Sequence, residues 1–334
     1  MNQIPNSARP QPDFTAATPG AAAPDERSSL AFPLAFGALV AGSMAMGVSP
    51  VFVRFAEIGP FASAFWRVTL ALPILLLWAW LETRSDNRPL RLRWPVPILL
   101  SGLFFAGDLT FWHLAITHTT MANATLMSCL APVWVLFLSS TFIGEKVPRR
   151  SFLGLAICLC GAALLIGSSY RIDPSRLVGD IYGIITSLFF GLYFLAIRVG
   201  RRSMNSGELT FASTTITAIA LLLVALVSGN AFLPQTASGY ASLLSLGMIS
   251  HAGGQGLLAV ALGSLSAAFS SLVIFLEAVA AAFFGWAIFN ETMGPLQLVA
   301  AFVSLPEYGL PALTDRLLPL PSSGHHGLQE HCGH

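Results

Sequence analysis

The chain alternates long apolar segments with short polar ones. About 20 consecutive apolar residues let a helix cross the hydrocarbon core of a bilayer, whereas membrane-spanning strands are shorter and alternate between apolar and polar residues. The segments that meet the helical criterion are Phe32–Val53, Pro60–Leu81, Val96–Ile116, Met121–Ile143, Phe152–Ser169, Ile181–Val199, Leu209–Val227, Tyr240–Leu262 and Ser266–Phe289.

A tenth apolar segment begins at Leu296 and is interrupted by Pro306 and Glu307. The residues before the interruption would rise only about 15 Å as a helix, which is roughly half the thickness of a bilayer core. The pattern predicts an all-α polytopic membrane protein with ten transmembrane helices, of which the tenth is irregular or truncated.

The composition excludes an ordinary soluble domain. Hydrophobic residues make up 54% of the 334 residues and charged residues only 10%, whereas soluble proteins carry about 25% charged residues. A net charge of +1 gives no reason to expect nucleic-acid binding, and no motif for a cofactor, a metal or nucleotide hydrolysis is present.

The two ends of the chain differ from its apolar middle. Residues 1–30 are rich in Ala, Pro and Ser, which predicts a disordered cytoplasmic tail. Residues 306–334 form an atypical tail rich in Pro and His. A shifted reading frame or a truncation would explain this abrupt change, and a protein with nine helices is the alternative.

The distribution of positive charge predicts the orientation in the membrane. Lys and Arg collect in cytoplasmic loops. If the N-terminus is cytoplasmic, most of the 17 Lys and Arg residues fall on the cytoplasmic side. The opposite side then holds only Arg54, Arg171 and Arg176. We therefore expect a multi-pass protein of the inner (plasma) membrane with a cytoplasmic N-terminus.

An internal repeat relates residues 31–170 to residues 178–305. At an offset of 146 residues, Ala115 corresponds to Ala261, and Glu145 corresponds to Glu291. Because each half would hold five helices, an odd number, the second half would be inverted relative to the first. Inverted repeats around a site at the middle of the membrane are common in secondary transporters.

The repeated segments resemble EamA-type drug/metabolite transporters. The resemblance rests on an Ala-rich helix, a proline within that helix and a terminal Gly-Glu-Lys, which here are Ala122, Ala124, Pro132 and Gly144-Glu145-Lys146. The second half has Asn290-Glu291-Thr292 at the corresponding end and Ala278 in place of the proline. The resemblance implies a ten-helix inverted-repeat transporter with a central cavity lined mainly by helices 1, 3, 4, 6, 8 and 9.

Two acidic residues lie within predicted spans. Asp108 is near the middle of the third span with Trp112 one helical turn away on the same face, and Glu277 lies in the ninth span. Because a charge within the membrane is costly, such acids are usually functional. We expect them to bind cations or protons, and the alternative is a structural pairing with a neighbouring helix.

The remaining candidates are polar or aromatic residues within spans. His251 and Gln255 are four residues apart beside several glycines, and they either line the cavity or hydrogen-bond to another helix. Arg67 could bind a substrate carboxylate, although a structural ion pair is the favoured interpretation. Asn123 and Trp134 share one stripe of the fourth span, where substrate binding and ordinary packing explain them equally well.

The sequence predicts a secondary active transporter that moves a small metabolite, such as an amino acid or a similar amphipathic solute, or a drug by alternating access, in the direction of export. Its partners would be the small-molecule substrate, the bilayer and protons or a counter-solute, and the chain would act as a monomer or homodimer. The alternatives are an intramembrane enzyme and a membrane scaffold or sensor that transports nothing.

Overall fold

The computed structural model describes residues 31–87, 89–90, 94–119, 124, 127–128, 130–166, 176–229 and 231–289. These residues contain helices and no strands. The helices are α1 (Phe32–Phe55), α2 (Pro60–Ser85), α3 (Val96–His118), α4 (Ala131–Ile143), α5 (Arg149–Ile166), α6 (Leu177–Gly200), α7 (Ser206–Ser228), α8 (Ala237–Ser264) and α9 (Ala267–Phe289).

Seven of the described helices, all except α4 and α5, are long and apolar enough to cross a membrane. They coincide with seven of the nine predicted spans. The described part of the fourth span is the shorter apolar helix α4, and α5 covers much of the fifth. The tenth span and the Pro- and His-rich tail lie outside the described residues. A count of ten helices therefore stays a prediction.

The surface of the bundle is apolar, as a lipid environment requires. Leu77, Leu103 and Leu223 are each more than half exposed, and Val227 is 89% exposed. Helices satisfy their own backbone hydrogen bonds, which is the condition for crossing a bilayer. The chain is thus a multi-pass membrane protein.

Hydrogen bonds between loops define the two ends of the bundle. One end of the bundle, which carries Arg84, Arg198 and Arg202, is called the basic end. There Glu82, near the end of α2, accepts a hydrogen bond of 2.7 Å from the backbone N–H of Gly207 at the start of α7. At the opposite end, the Trp66 indole donates to the carbonyl of Phe232 at 2.7 Å. The hydroxyl of Thr236 donates to Glu57, also at 2.7 Å. Helices α2 and α7 therefore run in opposite directions between the two ends.

The helices pack in a pattern that repeats with a shift of five. Helix α6 packs along α3 and α4, and α1 packs along α8 and α9. Helix α2 packs against α7, and α4 contacts α9 near the centre of the bundle. A shift of five converts α3, α4 and α6 into α8, α9 and α1, so the first pair of contacts corresponds to the second.

Within the described residues, short turns interrupt α1 at Val48, α2 at Leu70–Ala71 and α9 at Ile274–Phe275, and α4 begins with a tightened turn. Helix α1 has a turn at Val48, just before Pro50. In α9 the N–H of Glu277 bonds the carbonyl of Ile274 at 2.9 Å, a spacing of three residues that tightens the helix. At the start of α4, Val133 bonds Leu130 with the same spacing and at the same distance, beside Pro132, which has no N–H to donate.

Helix α8 contains a wide, π-helical stretch of ten residues, Leu246–Gln255. Such stretches are rare and usually only one turn long, and they frequently occur at functional sites. Two glycines bring α8 close to α1: a Cβ added at Gly42 would lie 3.0 Å from the carbonyl oxygen of Gly254. The π-helical stretch therefore lies directly against α1.

Candidate functional site

A central cavity lies among these helices, and its empty space, including the part open to solvent, amounts to about 900 Å³. Helices α1, α2, α3, α6, α8 and α9 line it together with α4 and the residue Ser128 that precedes it. This set contains the six helices that the family resemblance implies, and α2 in addition. The cavity borders the turns within α1 and α9 and the first turn of α4, since Pro50, Ile274 and Pro132 line it.

Three charged side chains line this cavity: Asp108, Glu277 and Arg67. Asp108 lies close to the middle of α3, and Glu277 lies close to the middle of α9. Arg67 lies in α2, nearer the opposite end. The lining therefore contains two acidic groups and one basic group within membrane-spanning helices, where charges are costly and therefore usually functional.

Arg67 lies within electrostatic range of both acids but, in the described part of the chain, forms no direct ion pair with either. Its guanidinium interacts electrostatically with Glu277 and Asp108, but within the described residues no ion pair joins it to either carboxylate. Its Nη1 donates to the hydroxyl of Ser49 at 3.2 Å, and its buried Nε has no partner in the described part of the chain. An unpaired buried donor is expensive, which suits a group that binds a solute.

The sequence favoured a structural role for Arg67, either in an ion pair or at the membrane–water interface. The structure places the side chain instead on the cavity wall, only 7% exposed. The sequence does not show this position, because it depends on how α2 packs against α1, whose Ser49 accepts the hydrogen bond from Arg67.

Aromatic rings form the apolar part of the wall. Trp112, Phe105, Phe190 and Phe275 line the cavity. Asp108 and Trp112, one turn apart on α3, both face it, as their spacing predicts. The combination of charged groups with aromatic surface suits a solute that has both charged and apolar parts.

Gln255 lines the cavity and is held by two other helices. The hydroxyl of Tyr193 in α6 donates to its side-chain oxygen at 3.1 Å. The amide nitrogen of Gln255 contacts the sulfur of Met46 in α1 at 3.1 Å. Both interpretations of this residue from the sequence therefore apply, because Gln255 bridges helices and also faces the cavity.

His251 does not line the cavity. Its Nε2 is 2.9 Å from the hydroxyl of Thr214 in α7, and its ring lies 5.5 Å from the ring of Phe105. His251 contacts α7, whereas Gln255 lines the cavity, so the two residues have different neighbours although both lie in the π-helical stretch. The structure thus favours the helix-bridging interpretation for this histidine.

Trp134 stands apart from the residues that line the cavity. The indole of Trp134 donates to the hydroxyl of Ser187 in α6 at 2.9 Å, and Trp134 is not among the residues that line the cavity. Asn123 lies outside the described residues. Their shared stripe in the fourth span stays a prediction.

Several small polar residues of the cavity wall were not predicted from the sequence. Ser49, Ser128 and Thr186 line the cavity, and the buried hydroxyl of Thr186 has no partner among the described residues. Serine and threonine are common in membrane helices, so nothing in their spacing distinguishes these three.

The sequence matches the EamA-like transporter family twice, over residues 34–167 and over residues 177–306. The chain belongs to this family. The two matches cover most of the chain and correspond to the two halves that the internal repeat indicates.

Similar proteins include members of the family with named roles and members without them. The chain is 27% identical over 160 residues to a "Pseudopaline exporter CntI" of Pseudomonas aeruginosa, which is 47% of this chain and 55% of that protein. It is 28% identical over 201 residues to an "Uncharacterized transporter" of Archaeoglobus fulgidus, which is 58% of this chain and 67% of that protein. The chain thus spans little more than half the length of the exporter.

A solved crystal structure has the same fold. It superposes with a TM-score of 0.73, covers 87% of this chain and all of its own, and is 15% identical in sequence. Together with the names of the relatives, the EamA-like family points to a transporter rather than an enzyme.

Proposed function

We propose that this EamA-like chain is a secondary transporter that carries a small amphipathic solute through the central cavity by alternating access. The observation that carries the proposal is the placement of Asp108, Glu277 and Arg67 around one cavity near the middle of the bundle. Such charges in a membrane core typically mark a substrate or ion pathway. Asp108 and Glu277 would supply charge for the solute and for proton coupling.

The packing of the helices supports alternating access. Helix α6 packs on α3 and α4 as α1 packs on α8 and α9, which is the relation expected of an inverted repeat of five and five helices. In such folds one repeat can rock against the other around a site at the middle of the membrane. The cavity lies between helices of the two family matches.

The chemistry of the wall supports a zwitterionic solute such as an amino acid or a similar metabolite. The guanidinium of Arg67 can bind a carboxylate through parallel hydrogen bonds. Asp108 and Glu277 can accept hydrogen bonds from an ammonium group, and Trp112 offers an aromatic face to an apolar part or a cation. A cationic drug would use the acids and the aromatic rings without Arg67.

Export across the inner membrane is the direction that we propose. The relative named as a pseudopaline exporter supports this direction. The excess of Lys and Arg at the basic end supports a cytoplasmic location for that end and for the N-terminus.

The test is transport in proteoliposomes that contain the purified chain and a panel of amino acids, nucleosides and cationic drugs. We expect at least one solute to be moved by the native chain. Asp108→Asn should abolish transport or separate it from proton flux, since the amide cannot release a proton. Asp86→Asn is the control, because Asp86 lies at the basic end, bonded to Asn205 and outside the cavity.

Other outcomes would favour other functions. Transport that stays coupled to protons in Asp108→Asn would remove the coupling role of this acid. A covalently changed product in place of a relocated solute would indicate an intramembrane enzyme. Full cellular function after simultaneous replacement of Asp108, His251 and Glu277 by alanine would favour a scaffold or sensor.

A further inference from the structure

Glu145 connects the ends of several helices at the basic end. Its Oε1 accepts a hydrogen bond from Nε of Arg198, near the end of α6, at 2.5 Å. Its Oε2 accepts a hydrogen bond of 3.1 Å from the backbone N–H of Ala267, the first residue of α9. One carboxylate therefore holds α6 and α9 to the residue that follows α4.

Arg198 extends the connection to α8. Its Nη1 donates to the carbonyl of Leu262 at 2.7 Å, in the last turn of α8. A carboxylate at the start of one helix and a guanidinium at the end of another both complement the helix dipoles. The side chains of Arg198 and Glu145 are only 21% and 16% exposed, so this pair is better shielded than an ordinary surface salt bridge.

The backbone at Gly144 directs Glu145 toward these partners. Gly144 ends the helical turn with a φ of +68°, a left-handed conformation that glycine adopts without strain. A second guanidinium, that of Arg202, donates to the carbonyl of Ile143 at 2.7 Å. The end of α4 is thus held to α6 by Arg198, which bonds Glu145 after Gly144, and to the loop after α6 by Arg202, which bonds Ile143 before Gly144.

The four joined helices are also walls of the cavity. Pro132 of α4, Phe190 of α6, Gln255 of α8 and Ile274 of α9 all line it. Each lies at least seven residues from its helix end at the basic side, which corresponds to about 10 Å or more along a helix. The connected helix ends therefore lie on the basic side of the cavity and separate it from that surface of the bundle.

We propose that Glu145 and Arg198 form a gate at the basic end, which closes the cavity on that side and must open during each transport cycle. Glu145 belongs to the first family match, whereas Arg198, Leu262 and Ala267 belong to the second. Rocking of α3, α4 and α6 against α1, α8 and α9, the two groups of helices that pack together, would separate Glu145 from Ala267 and Arg198 from Leu262. The inference rests on the proposed function, since a gate has meaning only for a cavity that opens to two sides.

Glu82 provides a matched comparison at the same end. It accepts a hydrogen bond of 2.7 Å from the N–H of Gly207 near the start of α7, so it too joins the two family matches through a carboxylate at a helix start. No residue of α7 lines the cavity. Loss of this contact should leave access to the cavity unchanged.

The experiment measures access to the cavity from each side of sealed vesicles. A cysteine reporter at Ala281, which lines the cavity, is placed in a chain whose native cysteines are replaced by serine. A membrane-impermeant maleimide is added to right-side-out or to inverted vesicles, and Ser85→Cys marks the basic end. Glu145→Gln should increase the rate of labelling from the basic end about tenfold, as expected for the loss of a charge-assisted contact.

Glu82→Gln should leave the rate of labelling from the basic end within about twofold of the reporter chain, because its contact does not close the cavity.

If Glu145→Gln does not fold, Glu145→Asp is the second variant. It retains the charge but is too short to reach both partners, so it should produce a smaller increase in the labelling rate. An unchanged rate in folded Glu145 variants, or an equal increase in Glu82→Gln, would overturn the gate. The assay needs no transported solute, so a gated cavity in a chain that transports nothing would refute the proposed function alone.

Discussion

At the scale of single residues, spacing along one helix predicted which residues face the cavity together. It did not predict which residues on other helices they contact. Asp108 and Trp112 face the cavity together because both lie on one regular helix, α3. Glu145 pairs with Arg198, 53 residues away, because helix ends that are distant in the chain converge at the basic end.

Arg67 is the residue whose substitution best tests the chemistry of the solute. Arg67→Lys keeps the positive charge but loses the planar fork that binds a carboxylate through two parallel hydrogen bonds. We expect KM for a transported carboxylate to rise about tenfold or more, which corresponds to the loss of one charge-assisted hydrogen bond. Transport kinetics in proteoliposomes measure this change.

Two comparisons make the Arg67 test specific. Arg84→Lys is the matched control, because Arg84 lies at the basic end over the ring of Trp80, outside the cavity. A solute that lacks a carboxylate should show little change in KM with Arg67→Lys. Equal effects on both kinds of solute would show that Arg67 does not recognise the carboxylate.

At the scale of helices, the apolar runs predicted where helices lie but not where they are interrupted. Phe32–Val53 was predicted as one span, and the structure has one apolar helix there with a turn at Val48. Pro50 is a visible reason for that turn. The interruption at Ile274–Phe275 has no proline or glycine to announce it, so it arises from packing that the sequence pattern does not contain.

Gly47 tests the close approach of α1 to α9. A Cβ at this position would lie 2.7 Å from the carbonyl oxygen of Glu277 and 2.5 Å from Cβ of Ala280. Gly47→Ala should therefore force the helices apart and lower the stability by roughly 1–3 kcal/mol, as overpacking does in other cores. Thermal unfolding in detergent measures the difference.

Gly37 in the same helix provides the comparison, since a Cβ there would meet nothing within 4 Å. Gly37→Ala should preserve or slightly raise the stability, because alanine favours a helix more than glycine does. Equal destabilisation by the two substitutions would contradict the close contact at Gly47.

At the scale of the whole molecule, composition and repeats predicted the class and the family of the protein. The hydropathy of the runs indicates a membrane protein, and the two family matches agree with the internal repeat. The size of the cavity and the choice of residues on its wall depend on how the helices pack. No periodicity in a single sequence contains that information.

The orientation of the bundle can be tested with topology reporters. Alkaline phosphatase fused after Gly229, at the opposite end, should be active because the enzyme needs an environment outside the cytoplasm. The same enzyme fused after Met204, at the basic end, should be inactive, as the excess of cytoplasmic Lys and Arg predicts. The reverse pattern of activity would place the basic end outside the cell.

The π-helical stretch Leu246–Gln255 has a consequence for how chains of this kind are aligned. Each wide turn holds about one residue more than an α-helical turn, so removal of one residue from the stretch could return a turn to ordinary geometry. Both ends of α8 would then keep their neighbours. A relative with a one-residue gap inside this hydrophobic span could therefore preserve the fold, and a gap there should not be taken as an alignment error.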